Sequence, residues 1–230
     1  NQILDKTKKL IIKNFSNQSL KNNITPETFE QYVCEQLRIA AKGSEFDGVI
    51  EQTANAAFPD IVANRYFGVE VKMTSGDKWE STGNSVLESS RVNGVERIYM
   101  FFGKFGGVFD IIYRNYADCL FDVAVTHYPR YKINMKLAEG QSIFHKIKID
   151  YDTFRKDPDS IKRIKNYYRS QLKEGEELWW IDQQADGGSV SPIIKNYDSL
   201  DKDIKEKIKT ECMTLFPEIY SDSSLKYQRA

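Results

Sequence analysis

Four runs follow one another between Gly68 and Met135: GVEVKMT, RIYMFFGKF, GVFDIIYRNY and DVAVTHYPRYKINM. Each is short, rich in β-branched and aromatic residues and set off by turn formers, a pattern that fits a pleated, half-buried surface better than a helix. Upstream the period changes. In NITPETFEQYVCEQLRIAAKG the residues Phe29, Val33, Leu37 and Ala40 form one stripe, Thr25 is placed to cap, Pro26 suits the first turn and Gly43 suits the stop. Leu4, Leu10, Ile11 and Phe15 predict a shorter amphipathic helix at the start, and Asn84 to Val92, bounded by Gly83 and Gly94, predicts another between the first two strands. From Asp157 the chain turns helical and polar: SIKRIKNYYRSQLKEGEE, a strand or core segment ELWWID, a turn at Gly187 and Gly188, and a closing helix LDKDIKEKIKTECMTLF. The order predicts the α/β (α+β) class, a central mixed β-sheet flanked by helices, with a mainly helical C-terminal part over about 150–230.

No repeat, low-complexity tract or Pro/Gly-rich linker divides the 230 residues, so one domain over 1–230 is expected, with its core over about 25–135. A chain that is 40% hydrophobic and 29% charged is globular, with a large core. No apolar run approaches the ~18 residues of a membrane span, and the first residues lack the long apolar stretch of a signal peptide. A cytoplasmic protein with no membrane partner is expected. Cys34, Cys119 and Cys212 are odd in number and far apart, which suggests buried reduced thiols and neither a disulfide framework nor a zinc cluster. Lys+Arg and Asp+Glu both total 33, so net charge neither favours nor excludes a polyanion; a local basic face decides that.

Strand alternation puts Val69, Val71 and Met73 on one face, and Glu70, Lys72 and Thr74 on the other. Charge in such a strand is costly unless paired or used. Asp60 lies ten residues before Glu70, and a hairpin turning near Asn64 and Arg65 returns it beside that residue. Two carboxylates and a lysine then converge. Paired carboxylates suit Mg²⁺, which prefers oxygen ligands and leaves positions for water and a phosphate. Such an ion activates a bound water and offsets charge on a phosphodiester under attack, and a neighbouring lysine can orient that water. The plainer alternative is a cross-strand salt bridge at a sheet edge. Asp203-Ile204-Lys205 repeats the triplet on a charged C-terminal helix without the strand setting.

At Pro59-Asp60 and Glu70-Val71-Lys72 the chain resembles the PD-(D/E)XK nuclease superfamily, and its size and aromatic content resemble the type II restriction endonucleases within it. The resemblance covers about Glu27 to Arg130. It implies a restriction-endonuclease-like fold, with a helix before the motif, a hairpin carrying it, and a helix after it leading to a further core strand. It implies that Asp60 and Glu70 bind Mg²⁺, with Mn²⁺ as a substitute, that Lys72 assists the attacking water, and that Glu30 is an auxiliary ligand. Glu35 is the competing acid on another face of the same helix. Double-stranded DNA is the implied substrate, hydrolysed site-specifically to a 5′-phosphate and a 3′-hydroxyl, and a palindromic target implies a homodimer.

Lys78, Trp79, Thr82 and Asn84 follow the catalytic strand in a polar loop able to touch a groove or a phosphate. Trp79 is equally a packing residue, and Arg91 is either a DNA contact or half of a surface helix pair with Glu88. His127 fits a general base or a structural turn, and Arg130 a phosphate or guanine contact or a surface pair. Lys162, Arg163, Lys165, Arg169 and Lys173 form a candidate backbone-binding face or a solvated helix surface. Alternatives are a repair or recombination nuclease of the same superfamily, a non-catalytic DNA-binding domain, and, remotely, a hydrolase built on Cys34 and His127.

Overall fold

The computed structural model describes residues 1–15, 24–54, 56–125, 129–173 and 202–215. The chain divides into two compact units, Asn1–Ala185 and Asp186–Ala230, and the core expected over about 25–135 lies in the first.

Helix α1 spans Gln2–Phe15 and buries Leu4, Thr7, Ile11 and Phe15. Helix α2 spans Pro26–Ala41 and buries the expected stripe. Its start is fixed by a reciprocal bond pair: Thr25 Oγ1 accepts from the Thr28 N–H at 3.2 Å, and Thr28 Oγ1 accepts from the Thr25 N–H at 2.8 Å. Gly43 then takes φ +73°, a left-handed conformation suited to leaving a helix.

The strands β1 (Ile50–Gln52), β2 (Ile61–Ala63), β3 (Phe67–Thr74), β5 (Arg97–Lys104) and β6 (Asp110–Asn115) form one sheet in the order β1-β2-β3-β5-β6. Only β3 and β5 run parallel, so the sheet is mixed, as expected. A second, antiparallel sheet has the order β4 (Glu80–Ser85), β8 (Pro129–Asn134), β7 (Leu120–Val125). One face of the larger sheet packs under α1 and α2 through Val69, Val71, Phe101 and Ile111. The other face, carrying Phe58, Val62, Met100 and Phe102, shares a core with Tyr131 and Ile133 of the second sheet. That core also takes Phe144 from α3 (Ile143–Ile147), Phe154 from α4 (Tyr151–Lys156) and Ile164 from α5 (Ser160–Gln171).

The helix expected over Asn84–Val92 is absent: the chain continues as β4 to Ser85 and then turns. Local bonds compete with helix formation there. Asn84 Oδ1 accepts from the Ser85 N–H, Ser85 Oγ accepts from the Leu87 N–H, and Glu88 adopts φ +44°. The Val86 N–H donates to the Pro129 carbonyl at 2.9 Å, tying the segment to β8. The connection from β3 to its parallel neighbour β5 therefore runs through the second sheet instead of through a helix.

In the second unit, α6 (Lys202–Leu215) exposes Ile204 and Met213, and it carries the Asp203-Ile204-Lys205 triplet. ELWWID and the Gly187–Gly188 turn lie outside the described residues. Cys34 and Cys119 are free and buried, and burial pushes both thiols up, Cys119 to about 12. The side chain of Cys212 lies outside the described residues. Among the described residues no helix is long and apolar enough to cross a membrane.

Candidate active site

The hairpin expected from Asp60 to Thr74 is present. Asn64 and Arg65 both take positive φ, +51° and +52°, the conformation of a tight turn whose twist matches its strands. Ile61 pairs with Val69, so the residue before it, Asp60, comes level with Glu70. Asp60 Oδ2 accepts from the Val71 N–H at 2.7 Å. Lys72 Nζ lies 2.6 Å from Glu70 Oε1 and 3.9 Å from Asp60 Oδ2, and it donates to the Val71 carbonyl at 3.1 Å. Glu70 is only 4% exposed. A salt bridge at a sheet edge is not what this is, because β3 lies between β2 and β5, with Glu70 level with Met100 on the strand beside it.

Three sets of contacts fix the segment that ends at Asp60. Thr53 Oγ1 donates to the Pro59 and Asp60 carbonyls, and the Thr53 N–H donates to the Asp60 carbonyl at 2.9 Å. Phe58 makes a parallel bridge to Arg91. Pro59 lies so close to Gly68 that a Cβ there would run into its ring. None of these partners was evident from sequence, although a glycine inside an apolar strand does signal close backbone approach.

The three charged groups open on a cleft of about 380 Å³, lined also by Glu27 and Glu30 of α2 and, from the second sheet, by Gly83, Asn84 and Arg130. Burial, and then the charge of Asp60, push Glu30 up to about 7. Burial pushes Glu70 up to about 7, with Lys72 pulling it back. Burial works against the Lys72 charge, yet Glu70 and Asp60 outweigh it and hold the amine above the ordinary lysine range. Lys72 is therefore an ammonium at neutral pH. Glu70 Oε2 is buried with no hydrogen-bond partner, a position that a cation or an ordered water can fill. Among the described residues no three His, Cys, Asp or Glu side chains group tightly enough to hold a metal by themselves. Asp60 and Glu70 are a two-carboxylate set, which suits Mg²⁺ because that ion keeps waters and phosphate oxygens as its other ligands. A larger apolar groove of about 630 Å³ lies on the opposite face of the sheet, beneath α1 and α2.

The remaining expected residues divide. Glu30, Asn84 and Arg130 line the cleft, with Arg130 Nε donating to the Gly83 carbonyl at 3.0 Å. Glu35 is exposed and does not line it, and neither does Lys78, also exposed. Trp79 is half-buried packing, its ring 5.8 Å from Phe102 with Lys104 Nζ 5.8 Å above it. The Arg91 side chain is 12% exposed, and its pairing with Glu88 is neither at the surface nor helical: it is buried and also involves Tyr151. His127 lies outside the described residues. On α5, Lys162 and Arg163 are exposed, Arg163 pairs with Asp157, and Arg169 bonds Asn166.

Neither a model of a known protein family nor a curated protein matches this chain.

Proposed function

We propose that this protein is a Mg²⁺-dependent endonuclease that hydrolyses phosphodiester bonds of double-stranded DNA, a cytoplasmic, site-specific enzyme of the type II restriction kind. The observation that carries this is the convergence of Asp60, Glu70 and Lys72 on one face of a hairpin, at the floor of a cleft, with one Glu70 oxygen unpartnered. A restriction-endonuclease-like fold is supported by the capped helix before the hairpin and the parallel β3–β5 pair. The β4 connection departs from that pattern.

When bound, Mg²⁺ supplies a more acidic water and positive charge against the phosphate. Asp60 and Glu70 are the residues that would hold it, with Glu30 as an auxiliary group. The Lys72 ammonium, already in contact with both carboxylates, orients the attacking water and opposes negative charge that builds on the phosphate oxygens. Arg130 and Asn84 offer donors from the second sheet to the sugar–phosphate backbone. A palindromic target is met most simply by a two-fold homodimer, one site to each strand.

The test is digestion of methylated and unmethylated plasmid DNA with Mg²⁺, with Mn²⁺ and with a chelator. Discrete fragments that require the metal are expected. Cleavage confined to branched, mismatched or modified DNA would indicate a repair or recombination nuclease, and no cleavage with either metal would leave a non-catalytic DNA-binding domain.

A further inference from the structure

Outside the cleft, Glu88, Arg91 and Tyr151 form a buried knot that no step of the proposed hydrolysis uses. Arg91 Nη1 donates to Glu88 Oε2 at 2.7 Å and to the Tyr151 hydroxyl at 2.8 Å, and that hydroxyl donates to Glu88 Oε1 at 2.7 Å. Arg91 Nε donates to the Val95 carbonyl at 3.0 Å. The side chains of Glu88 and Arg91 are 3% and 12% exposed. An ion pair this shielded is sustained only by complementary hydrogen bonds, and removing one member leaves a buried charge. Glu88 itself stands at φ +44°, a conformation that costs a non-glycine residue free energy unless its surroundings impose it.

The knot reaches the site through Phe58. The Phe58 N–H donates to the Ser90 carbonyl at 3.0 Å, and the Val92 N–H donates to the Phe58 carbonyl at 2.7 Å, so the main chain around Arg91 grips Phe58 on both sides. The guanidinium lies over the Phe58 ring at 5.7 Å and the Tyr151 ring at 5.8 Å. Phe58 is 1% exposed and stands two residues before Asp60, with Pro59 pressed against Gly68 between them.

We propose that Arg91 is a positioning residue: with Glu88 and Tyr151 it clamps Phe58, and through Phe58-Pro59 it sets where the Asp60 carboxylate stands relative to Glu70 and Lys72. Tyr151 belongs to α4, so a helix that does not line the cleft contributes to the placement of Asp60. The consequence for rate rests on the nuclease function proposed above; the placement of Asp60 does not.

The Val71 N–H, which donates to Asp60 Oδ2, reports that placement directly. In protein labelled with ¹⁵N-valine, Arg91→Lys moves the Val71 amide signal toward its position in Asp60→Asn, while Val33 in α2 and Val123 in β7 keep theirs. Misplacement of a site group by a fraction of an ångström to one ångström lowers kcat by about 10- to 100-fold, with KM for DNA within a factor of about three. Tyr151→Phe keeps the ring, removes one hydroxyl and gives a smaller shift in the same direction, and it decides the matter if Arg91→Lys does not fold. A Val71 signal that stays at its wild-type position in a folded variant overturns the proposal. So does general collapse of the spectrum in both variants, which would make the knot a requirement of the fold alone. If the wild type cuts no DNA, the nuclease function fails while the Val71 signal still decides for or against the clamp.

Discussion

Lys72 is the residue on which the site's electrostatics turn. Glu70 is buried and Asp60 stands beside it, so without the ammonium two carboxylates would share a poorly solvated space. Lys72→Ala is expected to lower DNA cleavage by at least about 100-fold while leaving duplex binding in chelator within a few-fold, measured by gel shift. The raised carboxyls give a pH dependence whose sign follows from linkage. Glu30 and Glu70 rise from 4.5 to about 7 on folding, so between those values the folded protein binds more protons than the unfolded chain. In chelator, stability contributed by these groups is present below pH 4.5 and is lost as pH rises to about 7. Melting temperatures measured from pH 4.5 to 8 are expected to show this fall, and Glu70→Gln to flatten it; identical profiles for both proteins would contradict the assignment of Glu70. Glu70 and Lys72 were legible because alternation in a strand puts them on one face. The Glu88–Arg91 pair was legible from spacing, but its burial and its third member were not, because Tyr151 is 60 residues away and no short-range pattern encodes it.

At the scale of elements, the β2–β3 hairpin depends on one close approach. In Gly68→Ala the added methyl runs into the Pro59 ring, so Asp60 or β3 must shift. Cleavage is expected to be lost together with a lower melting temperature by circular dichroism. Thr25→Ala provides the contrast: it removes the α2 cap, costs ~1 kcal/mol in denaturant titration and leaves cleavage rates near wild type. Wild-type rates for Gly68→Ala, or lost cleavage for Thr25→Ala, would each contradict this division. Both early helices, and the strand character of the four runs, followed from period and capping, which are local properties. The segment after Asn84 did not follow from them, because its course is fixed by the Val86 bond to Pro129 and by the buried knot, both contacts with distant chain.

Across the first unit, two cores separated by the larger sheet leave the acidic group on the face that meets the second sheet, from which Arg130 and Asn84 line the same cleft. A duplex backbone entering this cleft would meet both the Arg130 cation and the carboxylate–lysine group. Arg130→Ala is expected to weaken DNA binding and to reduce the slope of log affinity against log salt by about one, measured by anisotropy across salt concentrations. That the acids converge was readable from the hairpin alone; that a second sheet lines the cleft was not, since it requires β4 to pair with the distant β8. The most direct measurement is single-turnover cleavage of an end-labelled duplex that the wild type cuts in Mg²⁺, repeated with Asp60→Ala, Glu70→Ala and Lys72→Ala. Metal-dependent cleavage by the wild type, leaving 5′-phosphate ends, and loss of that cleavage in all three folded variants is the predicted result. Cleavage that survives any two of the substitutions would contradict a catalytic site at this hairpin.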